Sequence, residues 1–316
     1  MSVNNLNLHF VVSAPRSGST WLATALNHHP EIFATEHRLL GRFCEVWKNN
    51  DGSSAPRITF DSYARAFAMH YFYGFMGLTF EGFVEEFQRE FAGFLVDFAQ
   101  TKTGKTVVID KVTPYPGTAR LVIQQIRKLY PSAQIVQLVR DGRDVTTSGT
   151  FDWLLKDASG TERHEFFVNR RPKMTLERFF DDSVIEKWAL NWLESITAFH
   201  GQTQIARLSY EAMKSNLAFE LQRLFEVLGV AATPEIAQRC AEQTTFEKMA
   251  GRSAGDVDHT AKARKGVVGD WKNYFTRADG ELFHRLAGTA LIELGYERDD
   301  QWIERLPTRL ELGQND

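Results

Sequence analysis

The stretch FVVSAPRSGSTWLATAL, residues 10–26, passes from an apolar run through a Gly/Ser-rich turn into a helical pattern, with one arginine, Arg16, at the turn. Strand, small-residue turn and helix start together make an anion site, because successive backbone N–H groups point into the turn and the helix dipole adds positive potential. Small side chains let the backbone come close to a ligand. A nucleotide-triphosphate loop reads G-x-x-x-x-G-K-[ST]; here Gly18 is the one glycine, no G-K-[ST] follows, and Arg16 lies before the turn, which weakens ATP and GTP as candidates.

Working outward, four β-rich runs appear: LHFVVS (8–13), TVVID (106–110), QIVQLVR (134–140) and QIARLSY (204–210), separated by segments of helical periodicity. That alternation predicts an α/β fold, a central parallel sheet flanked by helices. The helix opening near Ser19 carries Trp21, Leu22, Ala25 and Leu26 on one face and stops before Pro30; residues 118–129 repeat the pattern with Leu121, Ile126 and Leu129. No repeat, low-complexity tract or linker interrupts the chain. The polar stretches 49–57 and 156–163 read as surface loops, so residues 1–316 are expected to form a single domain.

Composition narrows the function. A formal net charge of −3 gives no global attraction to nucleic acid or anionic lipid, so anions must be held by a local cluster of Arg and Lys. Two cysteines, Cys44 and Cys240, supply neither a disulfide framework nor a Cys-based zinc site and fit a reducing compartment. The N-terminus has no basic region followed by an apolar one, so no signal peptide is expected. The most apolar stretch, residues 66–80, is too short to cross a bilayer and contains His70. No metal is implied: there is no H-E-x-x-H and no cysteine pair.

Two further segments strengthen the anion reading. In LVRDGRDVTTSGT (138–150), Arg140 ends a strand and Ser148 follows eight residues later, in the next helix, which suits a second and separate phosphate. In ARKGVVGDWKNYFT (263–276), Arg264 and Lys265 stand directly before Gly266, a residue that lets the backbone N–H approach a ligand.

With these three segments the chain resembles the sulfotransferases that use 3′-phosphoadenosine 5′-phosphosulfate (PAPS), most closely the cytosolic ones. PRSGSTW is similar to that family's 5′-phosphosulfate loop, VRDGRDVTTS to its 3′-phosphate segment and RKGVVGDWKNYFT to its C-terminal signature; YEAMKSN (210–216) and TTFEKM (244–249) echo shorter family stretches. The resemblance implies a P-loop-like sulfotransferase fold and PAPS as sulfuryl donor. It implies that Arg16, Ser17, Gly18, Ser19 and Thr20 hold the 5′-phosphosulfate, that Trp21 lies against the adenine with Tyr210, Thr244 and Phe246 completing that pocket, and that Arg140, Ser148, Arg264, Lys265 and Gly266 hold the 3′-phosphate. Two separated phosphate sites also suit such a nucleotide better than a linear triphosphate.

Sulfuryl transfer needs an acceptor oxygen in line with the leaving oxygen and cations over the charge that builds there. Arg16 replaces the lysine of many cytosolic members; it stays protonated and stabilises by charge rather than by giving up a proton. A general base must take the acceptor proton. Cytosolic members use a histidine in K-T-H-x-P; this chain reads IDKVTPYP, so aligning Lys111 puts Thr113 at the histidine position. The stretch resembles instead the Glu-Lys-Ser/Thr pattern of carbohydrate sulfotransferases, with Asp110 as carboxylate and Lys111 beside the transferred group. Tyrosylprotein and some bacterial members draw a Glu base from the segment after the first helix, where this chain has Glu36 and His37 in FATEHRLLG (33–41). Asp110 is the first choice; Glu36 and His37 stay open.

The acceptor is less legible. Aromatic residues crowd positions 60–98 and suit an apolar or aromatic alcohol, although aromatics at helical spacing more often build core. The expected partner is thus a small hydroxyl compound, with no nucleic acid, in the cytoplasm, for a monomer or homodimer; KNYFTRADGE (272–281) resembles the family's dimer motif but carries Arg277 in place of its valine. The rival readings are a P-loop-type small-molecule kinase and a nucleotide-binding regulator without catalysis.

Overall fold

The computed structural model describes residues 6–36, 60–72, 74, 77–156, 178–253, 255–256 and 264–310. The chain divides into two compact units that interleave along the sequence. The first takes the described residues within 1–14, 18–139 and 197–244; the second takes those within 15–17, 140–196 and 245–316.

The first unit holds a five-stranded, fully parallel sheet, β1 (Leu8–Ser13), β2 (Ile32–Glu36), β3 (Val107–Val112), β4 (Ile135–Val139) and β5 (Ile205–Ser209), in the order β2-β3-β1-β4-β5. Four of these strands are the β-rich runs of the sequence. The fifth, β2, follows Pro30 directly and pairs Ile32 to Glu36 with Val107 to Lys111; its three apolar residues are too few to show alternation. Successive side chains alternate between the two faces. Leu8, Phe10, Val12, Val108 and Val112 pack on one face with α3 (Phe80–Thr103) and α4 (Ala119–Leu129). Val11, Ile109, Val136 and Leu138 pack on the other with α1 (Ser19–Asn27), α7 (Tyr210–Leu228) and α8 (Pro234–Glu242). Fully burying Phe10, Leu22 or Leu26 contributes roughly 1.5–3 kcal/mol each.

The aromatic segment forms α2 (Phe60–Tyr71) and α3, whose Phe80, Phe83 and Phe87 pack on Ala64, Ala68 and Val84 as a small separate core. Phe94 and Phe98 stay half exposed, so the segment is core only in part. Among the described residues no helix is long and apolar enough to cross a membrane. Residues 49–57 and 157–163, Cys44, Tyr73 and Phe75 lie outside the described residues.

The second unit contains α5 (Gly142–Lys156), most of α6 (Asp182–Thr197), α9 (Phe246–Ala250), a 3₁₀ turn over Asp270–Asn273, and α10 (Arg277–Glu293). A Cβ at Gly142 would fall 2.5 Å from Trp192 and one at Gly149 2.3 Å from Trp188, so α5 lets those indoles lie against its backbone at its glycines. Thr276 and Asp279 close a reciprocal capping box on α10. Arg277 donates its backbone N–H to Pro307 and its side chain to the Glu304 carbonyl.

Candidate active site

In the first unit, α1 begins without a side-chain cap. Its N-cap is Gly18 at φ 90°, whereas α3, α7, α8 and α10 are capped by the hydroxyls of Thr79, Ser209, Thr233 and Thr276. No hydroxyl therefore competes for the first amides of α1, which keeps them available to an external anion. Ser19 is buried and Thr20 exposed. A Cβ at Gly18 would lie 2.6 Å from the Tyr210 ring. Trp21 donates Nε1–H to the Thr244 carbonyl at 2.8 Å and meets Tyr210 edge-on, with centroids 5.6 Å apart. Trp21, Tyr210 and Thr244, far apart in sequence, thus form one small cluster.

In the second unit the cations gather. Arg16 sits in the left-handed region at φ 67°, a costly conformation for a non-glycine residue that persists where side-chain contacts over-determine it. Its Nε donates to Ser148 Oγ at 3.1 Å and its Nη1 pairs with Asp152 at 3.3 Å. Arg140 donates to the Arg16 carbonyl at 3.1 Å and to the Val267 carbonyl at 3.3 Å. Arg264 pairs with Asp270, lies over the Phe151 ring at 4.0 Å and donates to the Tyr274 hydroxyl at 3.2 Å. Lys265 reaches the other Asp270 oxygen at 3.1 Å. Burial lowers the Arg16 pKa, and Arg140 and Arg264 lower it further against the pull of Asp152. Three guanidiniums close enough to repel one another make a receptor for an anion.

Two details fit that anion. Ser17 Oγ is buried with no hydrogen-bond partner among the described residues, so a ligand oxygen could satisfy it. Gly266 adopts φ 66°, and a Cβ there would fall 2.3 Å from the Phe246 ring; only glycine lets that ring lie against the backbone. The frame is set by Asp144, fully buried on α5, which accepts the backbone N–H groups of Gly269 and Trp271 at 2.8 and 3.0 Å and faces Arg140 at 3.6 Å. Burial raises its pKa, opposed by Arg140 and those two amides.

The base candidates separate by strand geometry. Glu36, the last residue of β2, and Lys111, the last but one of β3, are register partners, and their side chains pair at 3.2 Å with Lys111 buried and Glu36 42% exposed. Asp110, one residue earlier, points to the opposite face, between Val108 and Val112; it is wholly buried and close enough to Tyr130 to help raise that hydroxyl's pKa, after burial itself. Asp110 and Lys111 are therefore adjacent in sequence but on different sides of the sheet. His37 lies outside the described residues. Among the described residues no group of three or more His, Cys, Asp or Glu could hold a metal ion.

Residues 8–295 match the sulfotransferase domain family. The chain belongs to this family. Human sulfotransferase 2A1 is 28% identical over 216 residues, covering 63% of this chain and 72% of its own; human sulfotransferase 6B1 is 34% identical over 144 residues, covering 42% and 44%. A crystal structure of mouse sulfotransferase SULT7A1 complexed with PAP aligns over 96% of this chain and 90% of its own, with a TM-score of 0.51 at 16% identity, which shows a common fold. The kinase alternative falls with this match.

What the sequence does not reveal in this sulfotransferase is the set of carboxylates that hold the cations: Asp152 on Arg16, Asp144 on Arg140, and Asp270 on Arg264 and Lys265. Asp152 lies on α5 one turn beyond Ser148, and Asp144 lies four residues after Arg140, spacings that offer some signal. The side-chain division between Asp110 and Lys111 follows from strand period, but only once their place within β3, rather than at its end, is known.

Proposed function

We propose that the sulfotransferase moves a sulfuryl group from PAPS to the hydroxyl of a small acceptor by in-line displacement, with Glu36 as general base. The supporting observation for the donor is the Arg16, Arg140 and Arg264 gathering, with Lys265 and Ser148 beside it. In this reading Arg140, Ser148, Arg264, Lys265 and Gly266 bind the 3′-phosphate, the 16–20 loop binds the 5′-phosphosulfate, and Trp21, Tyr210, Thr244 and Phe246 enclose the adenine. Neither unit is a continuous stretch of chain and the family match spans both, which supports one domain over residues 1–316.

Glu36 takes the proton of the acceptor hydroxyl as the new O–S bond forms. Arg16 offsets the charge left on the departing phosphate oxygen as the old S–O bond breaks, and its guanidinium gives up no proton. Lys111, paired with Glu36, holds its carboxylate in place. Asp110 lacks the exposure this step requires, whereas Glu36 has it. An apolar or aromatic alcohol is the preferred acceptor class, on the strength of the half-exposed rings along α3. A reducing, cytoplasmic setting suits the buried free thiol of Cys240.

The test is turnover of labelled PAPS against a panel of phenols, alcohols and sugars, with Glu36→Gln, Asp110→Asn and His37→Ala in parallel. Glu36→Gln should lower kcat by about 10²–10⁴ while adenosine 3′,5′-bisphosphate (PAP) still raises Tm as in wild type. Near-wild-type kcat in Glu36→Gln, with loss in either other variant, moves the base there.

A further inference from the structure

Arg252 lies in the second unit, outside every family stretch noted in the sequence, and its side chain makes an unusual set of contacts. Nη1 reaches the Ala250 carbonyl at the end of α9 at 3.4 Å, Nε the Asp256 carbonyl at 3.2 Å, and Nη2 the Arg264 carbonyl at 2.8 Å. The guanidinium also lies 5.3 Å from the centroid of the Phe246 ring. Beside it, Gly255 donates its N–H to the Lys265 carbonyl at 3.0 Å. One planar cation thus fastens the backbone at three points, one of them Arg264 itself, and touches the ring that rests on Gly266.

We propose that Arg252 is a positioning residue for the 3′-phosphate of the donor. It fixes the Arg264–Lys265–Gly266 backbone, and with it the direction in which two cations and one amide are presented. This rests on the PAPS reading above and deepens it. A guanidinium is suited to the task because its fork donates in several fixed directions at once, whereas a lysine ammonium sits at one point. The C-terminal carbonyls of α9 add a favourable electrostatic seat for the charge.

The experiment compares wild type, Arg252→Ala and Arg252→Lys in the full chain. It measures Kd for PAP and for 5′-AMP, which lacks the 3′-phosphate, together with KM for PAPS, kcat at saturating donor and Tm without ligand. Wild type should prefer PAP to 5′-AMP. In Arg252→Ala that preference should shrink about tenfold, the scale of one charge-assisted hydrogen bond, with KM for PAPS rising in step and kcat within twofold. Arg252→Lys should recover part of the loss. An unchanged PAP to 5′-AMP ratio in Arg252→Ala overturns the positioning role while leaving the donor reading intact, as does a fall in kcat and Tm with no change in that ratio. If Arg252→Ala does not fold, an Arg252→Lys ratio equal to wild type overturns it. A wild type that shows no preference for PAP overturns the donor reading and this role together.

Discussion

Arg143 and Arg16 are both largely withdrawn from water within the same unit, and they are treated in opposite ways. Arg143 is gripped by Asp141 at Nε and Nη2, at 3.0 and 2.7 Å, pairs with Glu297 through Nη1, and sits in the corner formed by the perpendicular indoles of Trp271 and Trp302, 3.9 and 4.5 Å from their centroids. Burial works to lower its pKa, yet Asp141 and Glu297 more than compensate and raise it. Arg16 pairs with Asp152 and has Arg140 and Arg264 as cationic neighbours, and its pKa goes down, chiefly through burial. Arg264 goes down as Arg16 does: burial lowers its pKa and Arg140 adds to the effect, against Tyr274 and Asp144. The RDGRD run (140–144) places Arg140 and Arg143 three residues apart, so sequence proximity does not distinguish the two roles. The surroundings do: Arg143 has two carboxylates and two indoles against it, whereas Arg16 stands near two further guanidiniums, and charge environments that lower an arginine's pKa in this way are commoner at functional sites.

The largest effect expected from this contrast is on stability. Arg143→Met breaks the buried pairs with Asp141 and Glu297, leaving Glu297 the longer, exposed pair with Arg305, and should cost about 3–5 kcal/mol in chemical denaturation; a loss below about 1 kcal/mol would erase the distinction. Arg16→Gln should do the reverse, weakening PAP at least about 30-fold, the low end for truncating one member of a desolvated charge pair. Its ligand-free Tm should stay much closer to wild type than that of Arg143→Met. PAP affinity unchanged in Arg16→Gln would break the comparison from the other side.

The smallest effect concerns a half-buried group with no ion pair among the described residues. His9 on β1 accepts the Gln134 N–H at Nδ1 at 3.1 Å, and burial lowers its pKa from 6.5 to about 4. Between those values the unfolded chain takes up a proton that the folded one refuses, so the stability present above pH 6.5 is lost as pH falls toward 4. Tm should drop by a few degrees between pH 7 and 5, and less in His9→Gln, whose amide oxygen can accept the same N–H. Identical pH profiles would remove His9 from the account.

Much of this was legible beforehand. The runs at 8–13, 106–110, 134–140 and 204–210 became β1, β3, β4 and β5, and residues 118–129 became α4 to within a residue, because buried parallel strands are continuous apolar runs and packed helices carry a 3.6-residue stripe. The β2 strand was not, since five residues ending in Thr-Glu carry no period; yet it supplies Glu36. For the same reason Asp110 read as the natural partner of Lys111 until pleating sent them apart. Arg252 was silent because backbone carbonyls, its partners, have no sequence signature.

The interleaving of the two units has a practical consequence for dissecting the enzyme. Because residues 15–17 belong with 140–196 while their neighbours on either side belong with the sheet, no single scission releases either half as a free-standing fragment. Loss of function on truncation would therefore report a broken scaffold rather than a missing group, and point substitutions are the sound way to assign duties to individual residues.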